Sequence, residues 1–210
     1  MTRYVLLILF LVCNSAMADE HCIKPKMNYE RDCAAVKNLN NLPSLKNIND
    51  CAILTIDSRS HWNASGLRLE KGGKYQLSVS NKEQWCDANI VTDYQGWQVS
   101  DAVDTKRTTC PDGCGKCKNA KAVQGPLINH GKVLNALFDM GGIWRRHEKS
   151  RYFALIGMLK GELYSEDFNV SKRASITPKA DAEFCAYAND LSFFYGNNSG
   201  TLQLTITRLK

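Results

Sequence analysis

Near the end of the chain the sequence reads NDLSFFYGNNSG, from Asn189 to Gly200. Asp190, Asn197 and Asn198 are short-armed oxygen donors, and three consecutive aromatics, Phe193, Phe194 and Tyr195, lie between them. Gly196 and Gly200 can take the positive φ that turns main-chain carbonyls inward. A hard cation such as calcium collects about six to eight oxygens from carboxylates, amides and carbonyls. A tight turn at a sheet edge is a natural host, because it folds Asn197 back towards Asp190. The same residue types are the ordinary formers of a β-turn, and on residue type alone both readings stand.

Other residues invite chemistry and mostly answer to simpler accounts. Cys110, Cys114 and Cys117 have the CxxxCxxC spacing of a zinc or iron–sulfur ligand set. In an exported chain they are read as disulfide partners instead. His21, His61, His130 and His147 show no metal spacing and no nucleophile context. Glu83 with Asp87, or Glu162 with Glu166, can be written as paired carboxylates for glycoside hydrolysis, but nothing around them supports it, and the protein is not read as an enzyme. Trp62, Trp85, Trp97 and Trp144 are read as core residues rather than as a sugar-stacking platform, for which Phe193 and Phe194 are better placed. WRRHEKSR, Trp144 to Arg151, is a charge run read as a solvated face, with a phosphate or lipid headgroup contact as the alternative.

The elements that must position the Asn189–Gly200 stretch are strands. AILTI (52–56) is short and apolar, and SGLRLEKGGKYQLSVSN alternates on both sides of KGGK, which reads as a hairpin turn. NIVTDYQGW adds a strand up to Gly96, and RYFALIGMLKG another. AEFCAYAND (182–190) and TLQLTITRL (201–209) alternate and bracket the opening stretch. Many short strands at this spacing indicate an all-β fold, an antiparallel β-sandwich or jelly roll. Residues 19–51 read as a Cys-containing N-terminal extension, and the sandwich as 52–210. The Gly/Pro/Cys-rich region at about 101–147 reads as a disulfide-rich insertion.

YANDLSFFYGNNSGTLQLTI resembles the C-terminal signature of the bacterial galactophilic calcium lectins (the PA-IL type) and of related galactose-binding-like β-sandwich modules. HWNASGLRLEKGGKYQLSVS resembles the opening of that family, and YFALIGMLKGE its central strand. The likeness covers about half of the chain. It implies a calcium ion held by the Asp190 carboxylate, the Phe194 carbonyl and the Asn197 and Asn198 side chains. A further carbonyl would come from within Asn81–Asp87. Sugar hydroxyls would complete the shell, with Asp190, Asn197 and Phe193 as the sugar-binding residues and a glycan, of galactose type, as partner. Asp190 is the one carboxylate in this set, and Asp87 or Asp93 would be a second. The His and Gln with which the family contacts sugar fall where this chain has its Cys-rich insertion, so sugar specificity does not carry over. Within the matched core, Cys86 and Cys185 are candidates to pair with each other. The alternative is a module that keeps the fold as an envelope structural or protein–protein interaction unit without a sugar site.

The whole chain sets the compartment. Arg3, the apolar run VLLILFLV and Ala16-Met17-Ala18 read as a signal peptide, residues 1–18, removed after Ala18. The run is too short to anchor in a bilayer, and no later stretch is long and apolar enough to span one. Of nine cysteines, eight lie beyond the signal: Cys22, Cys33, Cys51, Cys86, Cys110, Cys114, Cys117 and Cys185. An even set in an exported chain implies disulfides and an oxidising place, secreted or periplasmic. The formal net charge of +6 is spread out rather than gathered in a stripe with stacking aromatics, so nucleic acid is not a partner indicated by the sequence. Related lectins form homo-oligomers for avidity, and this chain is a candidate to do so.

Overall fold

The computed structural model describes residues 21–33, 38–80, 83–87, 90–97 and 145–210. The expected signal peptide, Cys110, Cys114, Cys117, Trp144 and most of the insertion lie outside them. The strands are β1 (Cys51–Asp57), β2 (Asn63–Leu69), β3 (Tyr75–Val79), β4 (Trp85–Asp87), β5 (Ile90–Thr92), β6 (Leu155–Lys160), β7 (Ser165–Asn169), β8 (Ser175–Ile176), β9 (Ala182–Ala188), β10 (Asn198–Ser199) and β11 (Thr201–Arg208).

Two four-stranded antiparallel sheets carry the fold, in the orders β1-β11-β3-β8 and β2-β9-β6-β7. In β1 every second residue, Ala52, Leu54 and Ile56, is buried, and β11 answers with Leu202, Leu204 and Ile206. That period of two is what a strand with one face on a core requires. The inner faces meet in a single cluster, in which Leu54, Ile56 and Leu204 of the first sheet join Leu67, Leu155 and Phe184 of the second. The molecule is therefore an all-β antiparallel sandwich. A third, three-stranded sheet has the order β10-β4-β5.

β9 departs from alternation, since all seven of its residues are buried. Its inner residues Ala182, Phe184, Ala186 and Ala188 belong to the sandwich core. Its outer residues are covered by other chain. Cys185 is bonded to Cys33. Glu183 pairs with Arg31 and accepts from the Gly66 N–H at 2.7 Å. Tyr187 packs edge-on against Trp62 at 5.2 Å. The segment before β1 thus lies on the second sheet, bridging at Asn28 to Ala64 and at Ser44 to Arg68. A second disulfide, Cys22–Cys51, ties it at the start of β1.

Three expectations are corrected. KGGK is not a hairpin turn: β2 pairs with β9, and β3 pairs with β11 and β8. The segment carries the chain from one sheet to the other, so that both apolar faces reach the same core from opposite sides. Tyr75 fixes the crossing, because its hydroxyl accepts from the Glu70 N–H at 2.9 Å. Nor does Cys86 pair with Cys185. Cys185 lies on the outer face of β9, where Cys33 of the extension meets it, whereas Cys86 belongs to the separate sheet β10-β4-β5. Cys86 is itself disulfide-bonded. The expected strand NIVTDYQGW is shorter than its pattern, because it ends at Thr92 and the Asp93 carboxylate caps the following turn by accepting from the Gln95 N–H at 2.8 Å.

Candidate functional site

The stretch from Asn189 to Gly200 leaves the end of β9 and returns through β10 to β11. Asn189 is fully buried and anchors it. Its main chain continues the sheet, accepting from Phe153 N at 2.8 Å and donating to Ala154 O at 2.9 Å. Its side chain clamps a second segment. The amide nitrogen donates to the carbonyls of His147 (2.9 Å), Ser150 (3.3 Å) and Arg151 (2.9 Å), and the amide oxygen accepts from the His147 N–H at 2.9 Å.

Beyond Asp190 the chain makes a compact turn. Phe194 N donates to Leu191 O at 3.0 Å, and Asn197 N donates to Phe194 O at 3.1 Å. Tyr195 plugs the turn from below, with its buried hydroxyl donating to Ala188 O and accepting from Arg146 Nη1 at 2.9 Å. β10 then pairs with β4 and sets Asn198 opposite Asp87. Gly200, at φ +91°, lets the chain turn into β11 against Trp85, whose Cα would lie 3.1 Å from an added Cβ.

Three polar side chains gather here. Asp190 is 3 % exposed, and its oxygens accept from Leu191 N at 2.7 Å and from Asn198 Nδ2 at 3.0 Å. Asn198 is 4 % exposed, and its Nδ2 also donates to Ser58 O at 3.1 Å. Both acceptors demand a donor, so the amide orientation is fixed by its neighbours. The Asn198 Oδ1 is left buried with no hydrogen-bond partner. Such an orphaned acceptor costs about 1–3 kcal/mol. Asp87 adds a second carboxylate, which accepts from Trp97 Nε1 at 2.9 Å.

Burial dominates the electrostatics of this group. Burial, and then the Asp190 charge, push the Asp87 carboxyl up to about 7 against the Trp97 hydrogen bond. Burial also raises Asp190, opposed by the hydrogen bonds from Asn198 and Leu191 and by His61. His61 stacks on Tyr195 at 4.3 Å, and burial and then Arg146 hold it below its ordinary value. The carboxylates of Asp190 and Asp87 and the amide oxygen of Asn198 are of the oxygen types that a hard cation takes. Among the described residues no three His, Cys, Asp or Glu side chains gather as a metal cluster.

The four residues expected at the ion are placed differently from one another. Asp190 and Asn198 are buried and in contact. Asn197 is exposed on the turn. The Phe194 carbonyl accepts the Asn197 N–H, and its ring is exposed with that of Phe193, the two centroids 4.8 Å apart. Asp87 belongs with the buried pair through the β4–β10 register, whereas Asp93 caps its own turn. Of the tryptophans, Trp85 is wholly buried in the core, Trp62 packs on Tyr187, and Trp97 stacks on Tyr152 at 5.0 Å.

No family model matches the chain, and no curated protein matches it. Among solved structures the chain is similar to the N-terminal domain of EclA, described as a PllA-like lectin. The identity is 11%, 74% of this chain and 94% of that one are covered, and the TM-score is 0.39. A likeness of that degree carries no argument about ligands, and the sandwich is defined by its own sheets and core.

Proposed function

We propose that the protein is a lectin-like carbohydrate-binding protein that takes a calcium ion at the Asp190–Asn198 turn. The observation that supports this is the buried, unpartnered Oδ1 of Asn198, a residue whose Nδ2 donates to Asp190 and which lies opposite Asp87 in the β10–β4 register. Asp190, Asn198 and Asp87 would hold the ion, joined by the Phe194 carbonyl and by the exposed Asn197 side chain at the solvent side. When bound, calcium would supply coordination positions for vicinal sugar hydroxyls in place of water. The exposed Phe193 ring would lie against the apolar face of a pyranose. The disulfides Cys22–Cys51 and Cys33–Cys185 fit an oxidising compartment, secreted or periplasmic. No helix among the described residues is long and apolar enough to cross a membrane.

The test is calcium titration calorimetry on the folded protein and on Asp190→Ala, followed by a glycan screen with calcium and with chelator. One calcium bound by the wild type, none by the variant, and glycan signals that vanish with chelator are expected. A folded wild type that takes up no calcium would refute the reading. Partner capture without glycan binding would favour the interaction-module alternative.

A further inference from the structure

A cavity of about 410 Å³ opens beside the segment that Asn189 clamps. Among the described residues its lining carries Arg145, Lys149, Arg151 and Lys172 against a single acid, Glu148. Its floor is neutral and polar. Ser150, 4 % exposed, accepts from Asn169 Nδ2 at 2.9 Å, and Asn169 Oδ1 accepts from the Ser171 N–H and hydroxyl at 2.9 and 2.6 Å. Small-molecule pockets are commonly about 300–1,000 Å³ and mostly apolar. This one has the size but not the lining. Hydroxyls and amides below, with four cations around the mouth, suit a polar ligand carrying an oxyanion.

The cavity is wired to the candidate cation site at two points. Arg145 bridges by its main chain to Leu191, next to Asp190. Its guanidinium also lies 4.4 Å over the Tyr152 ring, Tyr152 stacks on Trp97, and Trp97 donates to Asp87. Gln95, from the turn just before Trp97, completes the wall.

We infer that this cavity binds the anionic substituent, a sulfate or phosphate ester or a carboxylate, of an acidic carbohydrate. The inference rests on the carbohydrate-binding reading of the neighbouring turn and narrows its ligand class. Lys149 and Lys172, which have no ion-pair partner among the described residues, would supply the discriminating charge. Arg145 and Arg151 would frame it.

The test compares lactose with lactose carrying a sulfate ester, on the full disulfide-bonded protein with calcium. Sulfated lactose is expected to bind about tenfold tighter, and the Lys149→Gln/Lys172→Gln variant to lose that preference while keeping its calcium uptake. Equal binding of the two sugars by the wild type would overturn the inference and leave the calcium reading standing. So would a preference that survives in the double variant. A sulfate preference that persists with chelator and in Asp190→Ala, yet is lost in the double variant, would uphold the cavity and remove the ion from the function. Capture by phosphatidylglycerol vesicles, lost in the double variant and without sugar binding, would assign the cavity to a lipid headgroup and overturn the glycan inference. Binding of neither sugars nor vesicles would overturn it as well.

Discussion

Replacing Asp87 by Asn separates what this acid does for the fold from what it does for an ion. In the fold the Asp87 carboxyl is raised from 3.8 to about 7. A raised carboxyl holds its proton in the folded state at pH values where the unfolded chain has released it. Its contribution is therefore favourable at acid pH and is lost as pH rises from about 4 through 7. A shift of about three pH units corresponds to about 4 kcal/mol. Asp87 keeps partial solvent contact, which reduces that figure, so a gain of about 2 kcal/mol is the working expectation for Asp87→Asn at pH 8 without calcium. The amide oxygen of Asn can still accept from Trp97, which limits the structural cost. Urea unfolding at pH 5 and pH 8 in chelator measures the effect, and in a chain of this length about 2 kcal/mol would raise Tm by roughly 4–8 °C. On the proposed function, calcium affinity of the same variant should fall, because one of the carboxylates proposed to hold the ion has gone. A variant that is no more stable than wild type at pH 8, or that binds calcium equally well, would refute the account of Asp87 as an acid that serves an ion at the expense of the fold.

Asn198→Ala removes the donor to Asp190 and Ser58, and denaturant unfolding should show a loss of about 1–3 kcal/mol, with calcium uptake reduced in calorimetry. Gly200→Ala forces a side chain onto a φ of +91° with its Cβ 3.1 Å from Trp85 Cα, and should cost about 1–3 kcal/mol by the same assay. The double variant Cys33→Ser/Cys185→Ser opens a bridge between positions 152 residues apart, and should lower stability by about 2–5 kcal/mol under oxidising conditions.

Strands with one solvated face were legible, since the alternation of Leu54 and Ile56 or of Leu202 and Leu204 follows directly from a pleat lying on a core. The pairing of those strands was less so. KGGK has the residues of a hairpin, but which sheet each flanking strand joins depends on distant β9 and β11. The same limit applies to the candidate site. Asp190 and Asn198 sit in one short motif, and their contact could be read locally. Asp87 reaches them only through the β4–β10 register, which joins residues more than a hundred positions apart. The partner of Cys185 was hidden likewise, because nothing in a strand's own pattern says that the outer face of β9 will be covered by the chain before β1.

The Cys33–Cys185 bond closes most of the polypeptide into a covalent ring. A protease that cuts once anywhere between those two cysteines divides the chain without releasing a fragment. Between Cys33 and Cys51 the two halves would be held by both described bridges, Cys22–Cys51 and Cys33–Cys185. A nicked molecule would run as one species on a non-reducing gel and as two after reduction. In surroundings rich in hydrolytic enzymes, a single scission would leave the particle whole.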